Sequence, residues 1–128
     1  MKRIKRIEEI NADIVLLDSE DKQIIEEIVK YEEEIFHEGA IGIWNIKPFI
    51  KYGKVYALVS LEARLISAIE IMKDFEEHKA YIYGFFTKES FRNKGYGDMF
   101  LKNILEELHN IYGINKIELT VSQENRNA

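Results

Sequence analysis

The segment YIYGFFTKESFRNKGYGDMFLKNILEEL, beginning at Tyr81, passes from an apolar run of strand type to an amphipathic helix through the loop RNKGYG. Glycine is a poor helix former, so Gly95 and Gly97 at a helix mouth signal a special backbone conformation or a close approach that a side chain would block. A second strand-like run, residues 116–121, follows the helix. Strand, helix and strand over about forty residues make a βαβ unit, whose parallel strands join by a right-handed crossover.

The preceding half supplies the partners such a unit needs. Residues 13–17 read as a strand, and Asp18, Ser19, Glu20 and Asp21 then cap a helix predicted to reach Phe36. In that helix Ile24, Ile28, Tyr31 and Ile35 form an apolar stripe, with Glu26, Glu27, Glu33 and Glu34 mostly on a solvated face. A glycine-punctuated loop from His37 to Gly42 precedes a short helix over residues 44–52, with Pro48 near its start and Trp44 expected in the core with one edge on a pocket. Val55, Ala57, Val59 and Leu61 alternate, as do Leu65, Ser67, Ile69 and Ile71, which predicts a hairpin turning at residues 62–64. A strand at residues 80–87 follows, then a helix over residues 97–112 with the stripe Leu101, Leu105, Leu108 and Tyr112. The predicted order is β-α-α-β-β-β-α-β.

Size and composition limit the chemistry. At 128 residues the chain fits one domain, 1–128, and no apolar run approaches the ~20 residues that cross a bilayer, so no membrane role is expected. A net charge of −5 argues against nucleic-acid binding, which draws on cations that neutralise phosphates. The basic start, Met1-Lys2-Arg3-Ile4-Lys5-Arg6, reads as a solvated tail or a small phosphate-seeking arm, and without a secretory signal after it the expected location is cytoplasmic. There is no cysteine, and three scattered histidines make a poor metal cluster, so no metal is expected.

A helix N-terminus offers unpaired N–H groups and about half a positive charge, which favour an anion. Arg92 and Lys94 add charge beside the glycines, which makes the loop a phosphate cradle. Neither the P-loop pattern nor the dinucleotide fingerprint is present. A glycine turn that merely aims the helix is the plainer alternative.

The pattern that fits is [QR]-x-x-G-x-[GA], written here as Arg92, Asn93, Lys94, Gly95, Tyr96 and Gly97, and ELTVSQENRNA carries V-x-x-x-N-x-x-A as Val121, Asn125 and Ala128. By these two motifs the chain resembles the GNAT superfamily of acyl-CoA-dependent N-acetyltransferases over residues 79–128. The resemblance implies an α+β (mixed α/β) fold: a central mixed sheet, largely antiparallel with one parallel strand–helix–strand unit, and helices on both faces. It also implies a C-terminal truncation, because the family usually continues beyond the position of Ala128 into a helix and two strands. That segment carries the tyrosine thought to protonate the departing thiolate.

The resemblance further implies acetyl-CoA as cosubstrate. Its pantetheine arm would pair with the backbone of Phe85, Phe86 and Thr87, and its pyrophosphate would rest on the loop from Arg92 through Asp98, with Asn125 from the second motif. The Phe86 amide is the expected donor to the acetyl carbonyl oxygen. Asp98 departs from the family pattern and puts a negative charge near the pyrophosphate. Where relatives use a glutamate as base, this sequence has Tyr81, so the candidates become Glu70, Glu38, His37 and a water held by Tyr83. The expected acceptor is an amine-bearing small molecule or protein, attacked directly, and the alternative is a non-catalytic CoA-binding or protein-interaction module. An exposed edge along Ile117, Leu119 and Val121 predicts a homodimer.

Overall fold

The structure is a computed structural model, and it describes residues 1–74 and 78–119. Its described part holds one six-stranded sheet, in the order β1-β2-β3-β4-β5-β6. The strands are β1 (Lys2–Ile7), β2 (Ala12–Leu16), β3 (Lys54–Ser60), β4 (Leu65–Asp74), β5 (Lys79–Thr87) and β6 (Lys116–Leu119). Helices α1 (Lys22–Phe36) and α2 (Gly42–Tyr52) connect β2 to β3, and α3 (Tyr96–Tyr112) connects β5 to β6. Strands β1 to β5 pair antiparallel and β5–β6 is parallel, as the strand–helix–strand reading requires.

The sheet separates two apolar layers. On one face Tyr56, Leu58, Ile69, Ile71 and Ile82 meet Phe100, Ile104 and Leu108 of α3. On the other, Val15, Val55, Ala57, Ala68 and Phe86 meet Ile25, Ile28 and Val29 of α1 and Ile46 of α2. Helices therefore cover both faces.

Several sequence expectations shift. The basic start is strand β1, paired with β2, rather than a tail; only Ile7 in it is buried, so its cations stay in solvent along an edge. In α3 the buried line is Phe100, Ile104 and Leu108, one position round from the predicted Leu101 and Leu105. Two neighbouring apolar rows share the same spacing, and packing against the sheet selects one. Pro48 is the seventh residue of α2 and is exposed, as is Trp44, whose carbonyl its missing N–H would otherwise have reached. Trp44 is 80% exposed and lies under the Lys47 ammonium, so it is not core; Ile46 takes the buried position instead. The motif residues Val121, Asn125 and Ala128 lie outside the described residues.

Candidate active site

The glycine loop gives α3 an open N-terminus. Asn93 and Gly95 both take left-handed backbone, at φ 64° and 78°, and Gly95 is the residue preceding the helix. No side chain caps it, and the first intrahelical bond runs from the Met99 N–H to the Gly95 carbonyl. The N–H groups of Tyr96, Gly97 and Asp98 thus precede the helical ladder and have no acceptor within it. Gly97, in the first turn of α3, lies close against β5, since a Cβ there would lie 2.7 Å from Thr87 Oγ1. Arg92 folds back, its Nε donating to the Thr87 carbonyl at 3.0 Å, while Lys94 lies over the Phe91 ring. On the far side of the loop, Lys5 and Arg6 of β1 share an open cavity of about 580 Å³ with Lys94, Gly95 and Tyr96. Arg6 is paired with Asp13, and Lys5 donates to Asn103 of α3 at 3.0 Å.

Strand β5 carries the loop. Its described pairing with β6 covers Lys79 to Ile82. Backbone groups of successive strand residues point to opposite sides, and the Lys88 N–H donates to Ile66 on β4 while the Thr87 carbonyl takes Arg92 on the other side. By that alternation Phe85 and Thr87 present their amides and carbonyls toward the β6 side, and Phe86 turns its own toward β4. Of the three predicted residues, the outer two face that side.

At residue 83 the strand bulges. Glu70 pairs with Gly84 and Ile71 with Ile82, so Tyr83 is an extra residue with no partner on β4. Tyr83 is half exposed, packs edge-on against Phe49 of α2, and has its hydroxyl pKa raised by partial burial and by the nearby Glu32 and Glu70. Glu70 is fully buried, and the bulge puts it beneath Gly84. A Cβ on Gly84 would lie 2.8 Å from Glu70 Oε1 and 3.2 Å from Oε1 of Glu32, which is also fully buried.

Sequence reading named Glu70 and Tyr83 but missed Glu32. Its signal was the spacing Ile25, Ile28, Glu32 along the buried side of α1, hidden among glutamates that do face solvent. Burial pushes Glu32 up, though the Glu70 carboxyl and the Ile41 amide draw it back; burial and then Glu32 push Glu70 well above the ordinary carboxylate range. Apart from the Ile41 amide no donor contacts the four carboxyl oxygens among the described residues, so the two carboxyls meet most favourably with one proton between them. Glu38 and His37 stand exposed on a 3₁₀ turn after α1, and neither carboxyl accepts a hydrogen bond from them.

Residues 17–128 match the model of the acetyltransferase (GNAT) family. The chain belongs to the GNAT acetyltransferase family. Solved GNAT-fold structures agree in architecture. A GNAT family acetyltransferase from Staphylococcus aureus Mu50 superposes with a TM-score of 0.70 at 13% identity, over 89% of this chain and 75% of its own. An aminoglycoside acetyltransferase from an uncultured soil metagenomic sample, in complex with sisomicin, gives 0.69 at 14% identity, over 91% and 81%. A ribosomal-protein-alanine N-acetyltransferase from Brucella melitensis biovar Abortus 2308 gives 0.71 at 10% identity, over 91% and 84%. No curated protein matches. The mixed sheet with helices on both faces is thus the fold of GNAT acetyltransferases.

Proposed function

We propose that this GNAT protein transfers an acetyl group from acetyl-CoA to a primary amine by direct attack. The observation that carries the reading is the juxtaposition of the uncapped α3 amides, Tyr96 to Asp98, with the outward backbone of Phe85 and Thr87 on one strand–loop–helix unit. The cradle fits a pyrophosphate, and the strand edge fits an extended amide-bearing arm; bound there, acetyl-CoA supplies an activated thioester carbonyl. Around it the chain's own groups divide the work. The first-turn amides, with Lys94 and Lys5, hold the phosphates, and Arg92 fixes the loop to β5. The strand amides at Phe85 and Thr87, rather than Phe86, are the donors facing the acyl group. An acceptor ammonium must lose a proton before it attacks, because a primary amine of pKa ~10.4 is almost wholly protonated at neutral pH. The Tyr83 and Glu70 corner is the site for that transfer, and Glu38 is left as a surface residue. Asn125 is assigned to the cofactor by its motif alone. The reading extends to a cytoplasmic homodimer joined on the β6 side, where Leu119 is 56% exposed.

Calorimetric titration with CoA tests the cradle. The wild-type chain binds, and Gly95→Glu, which places a bulky anion at a left-handed position, loses at least tenfold in affinity; equal binding by both sinks the reading. Labelled acetyl-CoA with sisomicin, spermidine, free lysine and a peptide beginning with alanine then separates transfer from a CoA-binding module, which would bind without turnover. The amines follow the acceptor chemistry named for structural relatives and the wider class of primary amines.

A further inference from the structure

Two carboxyls that meet in a dry interior need a reason to be there. Removing a carboxylate from water costs several kcal/mol unless it is paired or neutralised, and like charges in contact add to that cost. Glu32 from α1 and Glu70 from β4 are both fully buried, their carboxyls converge beneath Gly84 within hydrogen-bonding reach of each other, and neither has an ion pair among the described residues. The other groups facing them are few. Strand β3 presents apolar Val55 opposite Glu70, the segment entering α2 presents the Ile41 amide, and β5 presents Gly84 and the Tyr83 hydroxyl. Gly84 has no side chain to separate the pair from its strand, and a Cβ there would collide with it. The bulge and the glycine together keep room for both carboxyls directly under the residues that adjoin the acyl site, and half-exposed Tyr83 links that place to solvent.

We propose that Glu32 and Glu70 act as one acid unit, sharing a single proton between them, and that this unit takes the proton released by the acceptor amine. The inference rests on the acetyl-transfer reading above. In the resting form Glu70 carries the proton and donates it to the Glu32 carboxylate, so the unit has one negative charge. The acceptor ammonium gives one proton to the unit by way of a water held at the Tyr83 hydroxyl, and both carboxyls are then neutral. The freed nitrogen lone pair forms the C–N bond at the thioester carbonyl, the C–S bond breaks with its electron pair leaving on sulfur, and the nitrogen's second proton neutralises the thiolate. The carboxyl unit returns its proton to solvent.

A buried pair explains how a base can operate where no exposed carboxylate faces the site. An isolated buried glutamate would hold its proton too tightly to be ionised at neutral pH, but a neighbour that donates a hydrogen bond to the charged form favours ionisation of one member. The unit is thus a half-ionised base kept dry.

Glu32→Gln, Glu70→Gln and the double variant test this, assayed with the amine of the above panel that turns over fastest, together with CoA affinity. Each single variant replaces the carboxylic acid donor by a weaker amide N–H donor to the remaining carboxylate, so the acid limb of kcat/KM moves to higher pH. The double variant loses that limb and falls by ~10²–10⁴-fold in kcat. CoA affinity stays within twofold in all three, which separates a lost base from a lost fold. Carbon-13 NMR of glutamate-labelled protein without substrate reads the pair directly: two carboxyls titrate in linked steps in the wild type, and the remaining one shifts in each single variant. A double variant that keeps the wild-type limb, or carboxyls that titrate independently, overturns the proposal. A wild-type chain that binds CoA but acetylates none of the amines instead overturns the transfer reading, and this inference with it.

Discussion

Replacing Gly84 with alanine would put a methyl group 2.8 Å from Glu70 Oε1 and 3.2 Å from Glu32 Oε1, with both carboxyls enclosed and unable to swing into water. Overpacking of this kind costs about 1–3 kcal/mol. Gly84→Ala should therefore lower stability in urea unfolding by that amount, and Gly84→Ala with Glu70→Ala should be less destabilised than the sum of the single changes by at least ~0.5 kcal/mol. Strict additivity would show that the glycine answers to something else. The pair also sets the sign of a pH effect. Glu32 and Glu70 have folded pKa values raised above the unfolded carboxyl value, chiefly by burial. The unfolded chain then binds fewer protons than the folded one above pH ~4.3, so stability from these groups is complete below that pH and is lost as pH rises through the folded values. Thermal unfolding should show a fall in Tm between pH 5 and pH 8 that is smaller in Glu70→Gln, and a wild type and variant falling in parallel would contradict it. At this scale the sequence was half legible. Glu70 stood out as a carboxyl in an alternating strand, whereas Glu32 sits in a run of acidic residues, three of which, Glu26, Glu33 and Glu34, do face solvent. Only the tertiary neighbour across the sheet distinguishes them.

In the elements, burial pattern decides what a substitution does. Helix α2 buries Ile46 completely and leaves Trp44 80% exposed, although tryptophan is the larger apolar group. Ile46→Ala should cost about 2–5 kcal/mol in chemical denaturation, and Trp44→Ala should change stability by less than ~0.5 kcal/mol. The reverse order would mean that the helix is rotated from its position here. Strand β1 makes the complementary case. Lys5 lies beside the glycine loop in the cavity it shares with Lys94 and Tyr96, so Lys5→Glu should weaken CoA binding several-fold at low ionic strength, with the difference shrinking at high salt because the interaction is exposed and screened. An unchanged affinity at low salt would remove Lys5 from the phosphate site. Strong periodicity made most elements readable: the β3–β4 hairpin, α1, α3 and the parallel β5–β6 connection follow from alternation, apolar stripes and the glycines at their ends. Strand β1 was not readable, because an edge strand paired on one side with a single buried residue, Ile7, keeps too little alternation to stand out from a basic tail. The α3 stripe was displaced by one position for a related reason: two adjacent apolar rows have the same helical spacing, and only the sheet beneath chooses between them.

At the scale of the molecule the sheet is a wall between two cores, and the first and last strands of its described part differ in composition. Strand β1 carries Lys2, Arg3, Lys5 and Arg6 along its length, a charge pattern that resists pairing with another chain. At the other side of the described sheet, β6 has the composition Lys116, Ile117, Glu118 and Leu119, with Leu119 56% exposed and Glu118 engaged by Lys79. One cation engages that glutamate across the parallel pair, so the β6 side presents an apolar residue with less charge to keep a second copy away. Association there is expected to be two-fold, since an isologous contact closes on itself and uses the same patch twice. Light scattering across a range of concentrations should give a dimer for the wild-type chain, and Leu119→Lys should shift the equilibrium toward monomer; CoA affinity is measured alongside, because Leu119 is opposite Ile82, three residues before Phe85 on β5. A wild type that stays monomeric at high concentration would refute the contact, and a dimer indifferent to Leu119→Lys would move it to another face, with α2 and its exposed Trp44 and Tyr52 as the next apolar surface to test.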